Sequence, residues 1–170
     1  MVLDTTVQDQ VGTAVHVEIM KSKEFVGKRV VSMADGAEIG QVKDLVFTGL
    51  SLSALVIKGE RGDGLLPFGS IDANGPDAIT IESYKLIDWN AGSTLDPESR
   101  TTHEIEKLKV IDAEGIMIGR LHDFTMSPKG LIEEISVRTN GVFGIGSQET
   151  VVPSSKVRAI GSDMITVEST

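Results

Sequence analysis

The stretches Asp35-Gly-Ala-Glu-Ile-Gly40 and Glu114-Gly-Ile-Met-Ile-Gly119 decide the fold, because they place one local pattern in the chain twice. An aspartate follows each second glycine by four residues, at Asp44 and Asp123, so one offset of 79 residues relates all of these positions. Self-similarity at a fixed spacing is typical of repeated structural units. The sequence therefore predicts two copies of one small domain in tandem.

A second pair of matching segments fixes the extent of each copy. Residues 77–83 match residues 163–169, now at an offset of 86, which places an insertion of seven residues in the second copy. The glycines of 139–150 mark that insertion as a longer hairpin tip. The predicted domains are an extension at 1–22, a first copy at 23–89, a linker at 90–102 and a second copy at 103–170.

Two segments lie outside the predicted copies, and their patterns of polar and apolar residues differ. The small and polar residues of 90–102 present no hydrophobic face, which is typical of a linker. In the extension, Val15, Val17 and Ile19 alternate with other residues and predict an extra strand that pairs with a sheet edge.

Within each copy the apolar period is two, which favours short strands over helices. The predicted strands are 29–32, 38–47, 52–58, 64–67 and 78–83 in the first copy, and 108–111, 117–126, 132–138, 150–152 and 164–168 in the second. Closure of a small sheet hides its edges. We therefore predict an all-β protein made of two tandem small antiparallel β-barrels, each closed around its own aliphatic interior.

Composition limits the classes of partner. The net charge is −9, and both halves carry more acidic than basic residues. Nucleic acids and anionic lipids attract clustered Lys and Arg, so we expect no direct nucleic-acid partner and favour protein partners. The chain has no cysteine, which fits a reducing compartment, and its first residues lack the pattern of a secretion signal. No apolar run is long enough for a membrane span, so the expected location is the cytoplasm.

The repeated pattern, with its flanking strands, resembles a known family. The run Gly27-Lys-Arg-Val-Val31 comes first, the glycine motif follows, and Leu66-Pro-Phe68 and Ile79-Thr-Ile81 come later. This order is similar to the PRC-barrel domain, and the second copy departs from it by replacing the opening Gly-Lys with Lys107-Leu108. The resemblance implies a barrel that serves as an adaptor. By family analogy it implies a role in cell-division or membrane-complex assembly.

The motif residues are expected to be structural rather than catalytic. They are Gly36, Gly40, Asp44, Gly115, Gly119 and Asp123. The glycines suit tight turns, and an aspartate at a bend can accept backbone N–H bonds and fix a bulge. Since the two aspartates occupy the same position in each copy, we expect them in different barrels, where they cannot form a catalytic carboxylate pair.

The remaining polar residues form no recognised catalytic or metal-binding pattern. The three histidines, His16, His103 and His122, are scattered, and a metal site needs three or four convergent ligands. No Gly-x-Ser-x-Gly elbow occurs, and the glycine-rich segments precede no predicted helix that could hold a phosphate. We expect a non-enzymatic protein with no cofactor and no metal.

A partner-binding patch is predicted from apolar residues beside the two glycine-rich hairpin tips. Its members are Leu65, Leu66, Phe68, Val142, Phe143 and Ile145. Such residues can form a docking surface, and the alternative is that they cap the barrel core. The leading hypothesis is an adaptor for protein partners, including a homodimer. The alternatives are an RNA-processing or ribosome-assembly module and a small-ligand binder using the cleft between the barrels.

Overall fold

Two curled β-sheets make up the fold, one for each copy of the repeat, which confirms the predicted all-β class. The computed structural model describes residues 20–90, 95–139, 146 and 148–169. The strands are β1 (Met20–Lys21), β2 (Arg29–Ser32), β3 (Ala37–Thr48), β4 (Ser51–Gly59), β5 (Gly62–Pro67), β6 (Ile71–Asn74), β7 (Ala78–Ile81), β8 (Ser99–Thr101), β9 (Lys109–Asp112), β10 (Met117–Met126), β11 (Ile132–Thr139), β12 (Gln148–Pro153), β13 (Val157–Ile160) and β14 (Met164–Val167). Helix α1 (Thr102–Ile105) follows β8, and 3₁₀ turns lie at Ser22–Glu24, Phe68–Ser70, Tyr84–Leu86 and Ser154–Lys156.

Both sheets have the same topology. The strand order is β5-β4-β3-β2-β7-β6 in the first sheet and β12-β11-β10-β9-β14-β13 in the second. One pair in each sheet, β2 with β7 and β9 with β14, is parallel. The antiparallel prediction is therefore wrong for these pairs, because an apolar period of two is the same for either strand direction. The strands at the two ends of each order do not pair with one another, so each sheet is a half-barrel.

All ten predicted strands are present, with bounds that agree to within two residues. The long strands β3 and β10 curl because each contains a bulge, between Val42 and Asp44 and between Leu121 and Asp123. Besides the short strands β1 and β8, two strands were missed, β6 and β13. Neither shows clear apolar alternation, and each forms because a neighbouring strand, β7 or β14, offers a ladder to pair with.

The short strands at the start of each copy are exchanged between the sheets. Strand β1 pairs with β10, with Met20 opposite Met126, whereas β8 pairs with β3, with Thr101 opposite Val46. The predicted extra strand at Val15–Ile19 lies outside the described residues. The segment predicted as a linker contains β8, because strand pairing uses backbone groups and needs no hydrophobic face.

The interiors of the two sheets form one contiguous core. Phe47 meets Phe124 edge to face, with ring centroids 5.1 Å apart. Beside them the N–H of Leu52 donates to the carbonyl of Gly130 at 2.7 Å. The buried residues of both copies belong to a single cluster, so the expectation of two separate interiors is wrong. A half-barrel leaves apolar side chains exposed on its open side, and here each sheet covers the other.

Among the described residues, no helix has the length and apolar character needed to cross a membrane.

Candidate functional site

The two glycines of each motif have different roles in the sheet. Gly36 and Gly115 lie in turns with φ of 60° and 81°, a region that side chains disfavour. Gly40 and Gly119 lie where strands approach closely, since a Cβ on Gly119 would be 2.5 Å from the carbonyl oxygen of Arg138. A Cβ on Gly40 would similarly overlap the carbonyl oxygen of Lys58. These positions fit the predicted structural role.

The motif aspartates lie at the bulges of the long strands. The Oδ1 atom of Asp44 accepts a bond from the N–H of Leu45 at 2.7 Å, and that of Asp123 accepts from the N–H of Phe124 at 2.8 Å. A side chain that bonds the next residue's N–H satisfies a donor that the bulge removes from the ladder. The geometry supports a structural role for Asp44 and Asp123, which remains a prediction until stability is measured.

Each aspartate also contacts the other copy, which sequence reasoning missed. The hydroxyl of Ser22 donates to Asp123 at 3.0 Å, and the N–H of His103 lies 3.4 Å from Asp44. These donors come shortly after the exchanged strands β1 and β8 in the chain. The strand exchange therefore places a hydrogen-bond donor from the other copy beside each aspartate. No sequence signal marks the contact, because the residues are about a hundred positions apart for one pair and nearly sixty for the other.

A cavity of about 610 Å³ lies at this junction of the two copies. It is lined by Ser22, Lys23, Val26, Lys43, Asp44, Thr101, Thr102, His103 and Glu106. Asp44 is already engaged by backbone N–H groups, and Lys43 forms a salt bridge of 2.7 Å with Asp63 outside the cavity lining. The cavity can hold a small molecule, and the hydroxyls of Ser22 and Thr102 in its lining already donate to Asp123 and to the carbonyl of Leu45.

The predicted partner-binding patch is divided by the fold. Leu66 is fully buried in the core, so its side chain faces inwards and not towards a partner. Leu65 is half-buried, and its N–H and carbonyl exchange 2.9 Å bonds with Asp88. Phe68 is half-buried against Gly130 of the second copy. Val142, Phe143 and Ile145 lie outside the described residues, and the patch remains a proposal.

A second surface beside this patch concentrates exposed aromatic residues. Tyr84 and Trp89, the chain's only tyrosine and only tryptophan, line a cavity of about 570 Å³ in the first copy and are 47% and 37% exposed. We call this surface the aromatic cavity. Its lining is Glu38, Ile39, Glu60, Arg61, Gly62, Tyr84 and Trp89.

Local packing holds the aromatic cavity in shape. The ring of Trp89 lies on the hairpin of β4 and β5, where a Cβ on Gly59 or Gly64 would come within 2.7 Å of it. Tyr84 begins a 3₁₀ turn that the side chain of Ser83 caps by accepting the N–H of Lys85 at 3.2 Å. Sequence reasoning missed this surface. The one available signal was that the sole tyrosine and the sole tryptophan both follow the last strand of the first copy.

The histidines do not converge in the described part of the chain. His103 lines the junction cavity, and His122 accepts a 2.9 Å bond from Arg138 on the second sheet. His16 lies outside the described residues. No group of three or more His, Asp or Glu residues within the described ranges is placed to hold a metal ion.

Two similar curled sheets, each built on a glycine pair and a bulge aspartate, define a tandem β-barrel protein. The sequence model of the PRC-barrel domain matches residues 17–87 and 97–170. These segments cover well over half of the chain, which therefore belongs to the PRC-barrel domain family. No curated protein matches the chain.

Proposed function

We propose that this chain is a non-enzymatic adaptor that binds a protein partner through the aromatic cavity. The observation that carries the proposal is the meeting of Tyr84, Trp89 and Arg61 at one partly exposed concave surface. Tyr, Trp and Arg are the residue types that dominate binding energy at protein interfaces. The packing of Trp89 on glycine fixes the cavity walls, so little conformational entropy is lost on binding.

The rim of the aromatic cavity indicates the chemistry of the partner. Glu60 is exposed at the rim, whereas the exposed Glu38 there is paired with Arg29 at 3.4 Å. The chain as a whole carries a net charge of −9. Opposite charges on two binding partners speed their association and fix how they align. The partner segment is therefore an apolar or aromatic side chain flanked by Lys or Arg.

Selection of peptides tests this proposal directly. A random peptide library displayed on phage is selected against the full chain, and recovered peptides are titrated while the fluorescence of Trp89, the sole tryptophan, is followed. We expect a consensus of an aromatic or aliphatic residue beside basic residues. Tyr84→Ala should weaken binding roughly tenfold or more, as interface hot spots do.

Two further variants make the selection decisive. Met33→Ala removes a side chain that is 61% exposed outside this cavity, and it should leave peptide binding unchanged. Glu60→Lys should weaken binding and reduce its dependence on salt. Peptides that bind the wild type and Tyr84→Ala equally would contradict the proposal, as would a reproducible catalytic turnover by the purified chain.

The cellular setting is proposed from family analogy. We infer a cytoplasmic adaptor in cell-division or membrane-complex assembly, acting as a monomer or a homodimer. Sedimentation velocity of the full chain over a concentration series distinguishes these two states. Co-sedimentation with ribosomal subunits tests the ribosome-assembly alternative, in which the net acidic charge disfavours direct RNA contact but allows binding to basic ribosomal proteins.

The junction cavity supports a second candidate function, binding of a small ligand between the copies. Its volume of about 610 Å³ is within the range of ligand pockets. A ligand there would raise the unfolding temperature, because binding to the native state stabilises it. A metabolite panel that produces no thermal shift would remove this candidate.

A further inference from the structure

Three cationic side chains form a row across neighbouring strands of the second sheet. Lys109 on β9 is directly opposite Arg120 on β10, and Arg120 is directly opposite Arg138 on β11. All three residues are exposed. Residues paired in this way have Cα atoms about 4.5–5.5 Å apart. We call these three residues the cation row.

The cation row is not neutralised within the described part of the chain. None of its three members forms a salt bridge there, including Arg138 with Glu149, the residue opposite it on β12. Arg120 makes a long 3.4 Å contact with the carbonyl of Lys107, and Arg138 donates to His122 at 2.9 Å. Residues 140–147 add no charged side chain. Like charges on directly opposite residues destabilise a sheet.

The first copy provides an internal comparison, because the same register places Arg29, Gln41 and Lys58 in one row. There the central residue is neutral, and Arg29 is paired with Glu38 at 3.4 Å. In the second copy Arg120 replaces the neutral residue.

A second replacement removes the neutralising acid. Glu38 lies beside Val31 on β2, and the corresponding position beside Ile111 on β9 is Met117. Between the copies, two replacements thus distinguish a row whose Arg29 is neutralised from a row in which no cation is paired among the described residues. A destabilising local choice that persists in a folded protein is expected at functional sites.

We propose that the cation row binds a compact multivalent anion that carries phosphate. The row lines a cavity of about 290 Å³ together with Met117, Gly119, Leu121 and His122. Two arginines can each donate paired bonds to phosphate oxygens, and lysine adds a third charge. The width of three neighbouring strands fits one or two linked phosphates. A long polyanion would extend beyond the cation row and be repelled by the rest of a chain whose net charge is −9.

Calorimetric titration of the full chain with pyrophosphate at fixed ionic strength tests the site. We expect saturable binding that Arg120→Gln, which installs the residue of the first copy, weakens roughly tenfold or more. Lys58→Gln changes the net charge equally but lies in the first copy, and it should bind like the wild type. Without anion, Arg120→Gln should unfold at the same temperature as the wild type or higher, because it relieves repulsion.

Three results would overturn the proposal. Equal binding by the wild type, Arg120→Gln and Lys58→Gln would show non-specific attraction only. Equal binding of citrate and pyrophosphate would remove the phosphate assignment. If a short single-stranded RNA bound more tightly per phosphate than pyrophosphate, the ligand of the cation row would be a nucleic acid and not a compact anion.

Discussion

At the scale of single residues, the repeated motif is explained by backbone geometry. Gly40 and Gly119 allow two strands to approach more closely than a side chain permits. Asp44 and Asp123 satisfy N–H groups at the bulges that bend the same strands. All four residues belong to the motif that repeats in the sequence, and their structural role stays a prediction.

Replacing a close-approach glycine should destabilise the protein. Gly40→Ala forces the new methyl group into the carbonyl of Lys58, and overpacking of this kind costs about 1–3 kcal/mol. Chemical denaturation measures the loss. Gly69→Ala is the control, since a Cβ there meets no atom within 4 Å. Equal stability of both variants would exclude the close approach as the reason for glycine at 40.

Removing a bulge aspartate should also destabilise the fold. Asp123→Ala leaves the N–H of Phe124 and the hydroxyl of Ser22 without their acceptor, at a cost of about 1–3 kcal/mol. Asp44→Ala should cost less, because its contact with the other copy is longer, at 3.4 Å. The free energy of unfolding in urea gives both values, with the exposed Asp77→Ala as a neutral control. The reverse order would contradict this account.

At the scale of elements, the strand exchange joins the two copies. Strand β8 leads directly into α1, whose first residues are held by a capping box. The side chain of Thr101 accepts the N–H of Glu104, and the carboxylate of Glu104 accepts the N–H of Thr101 at 3.0 Å. The cap thereby fixes the angle at which the chain leaves the first sheet and enters the second.

Loss of this cap should weaken the junction. Thr101→Ala removes the acceptor at the start of α1 and should reduce the free energy of unfolding by about 1 kcal/mol. Glu104→Gln retains a side-chain acceptor and should be close to neutral. Thermal unfolding followed by circular dichroism measures both. A larger effect of Glu104→Gln than of Thr101→Ala would argue against the capping box.

At the scale of the whole molecule, the two copies share one hydrophobic core. Phe124 of the second copy is 2% exposed and packs edge to face on Phe47 of the first. A single hydrophobic core favours one cooperative unfolding transition. We therefore expect the two copies to unfold together.

A substitution in the second copy should destabilise the first. Phe124→Ala is expected to cost about 3–5 kcal/mol, and Trp89, which lies in the first copy, should report the same shift as circular dichroism. Ile116→Ala, at a site 57% exposed, should leave both transitions in place. A Trp89 transition that does not move in Phe124→Ala would show that the copies unfold separately.

The sequence determined ten of the strands, the repeat and the motif residues, because period-two alternation, turn glycines and a bulge aspartate act over a few neighbouring positions. Only the tertiary structure decided that β1 and β8 are exchanged, that the two interiors merge, and that Tyr84 and Trp89 share a cavity. The reason is that backbone pairing and burial between distant segments depend on where the sheets meet. The sequence of one copy alone does not determine where the two sheets meet.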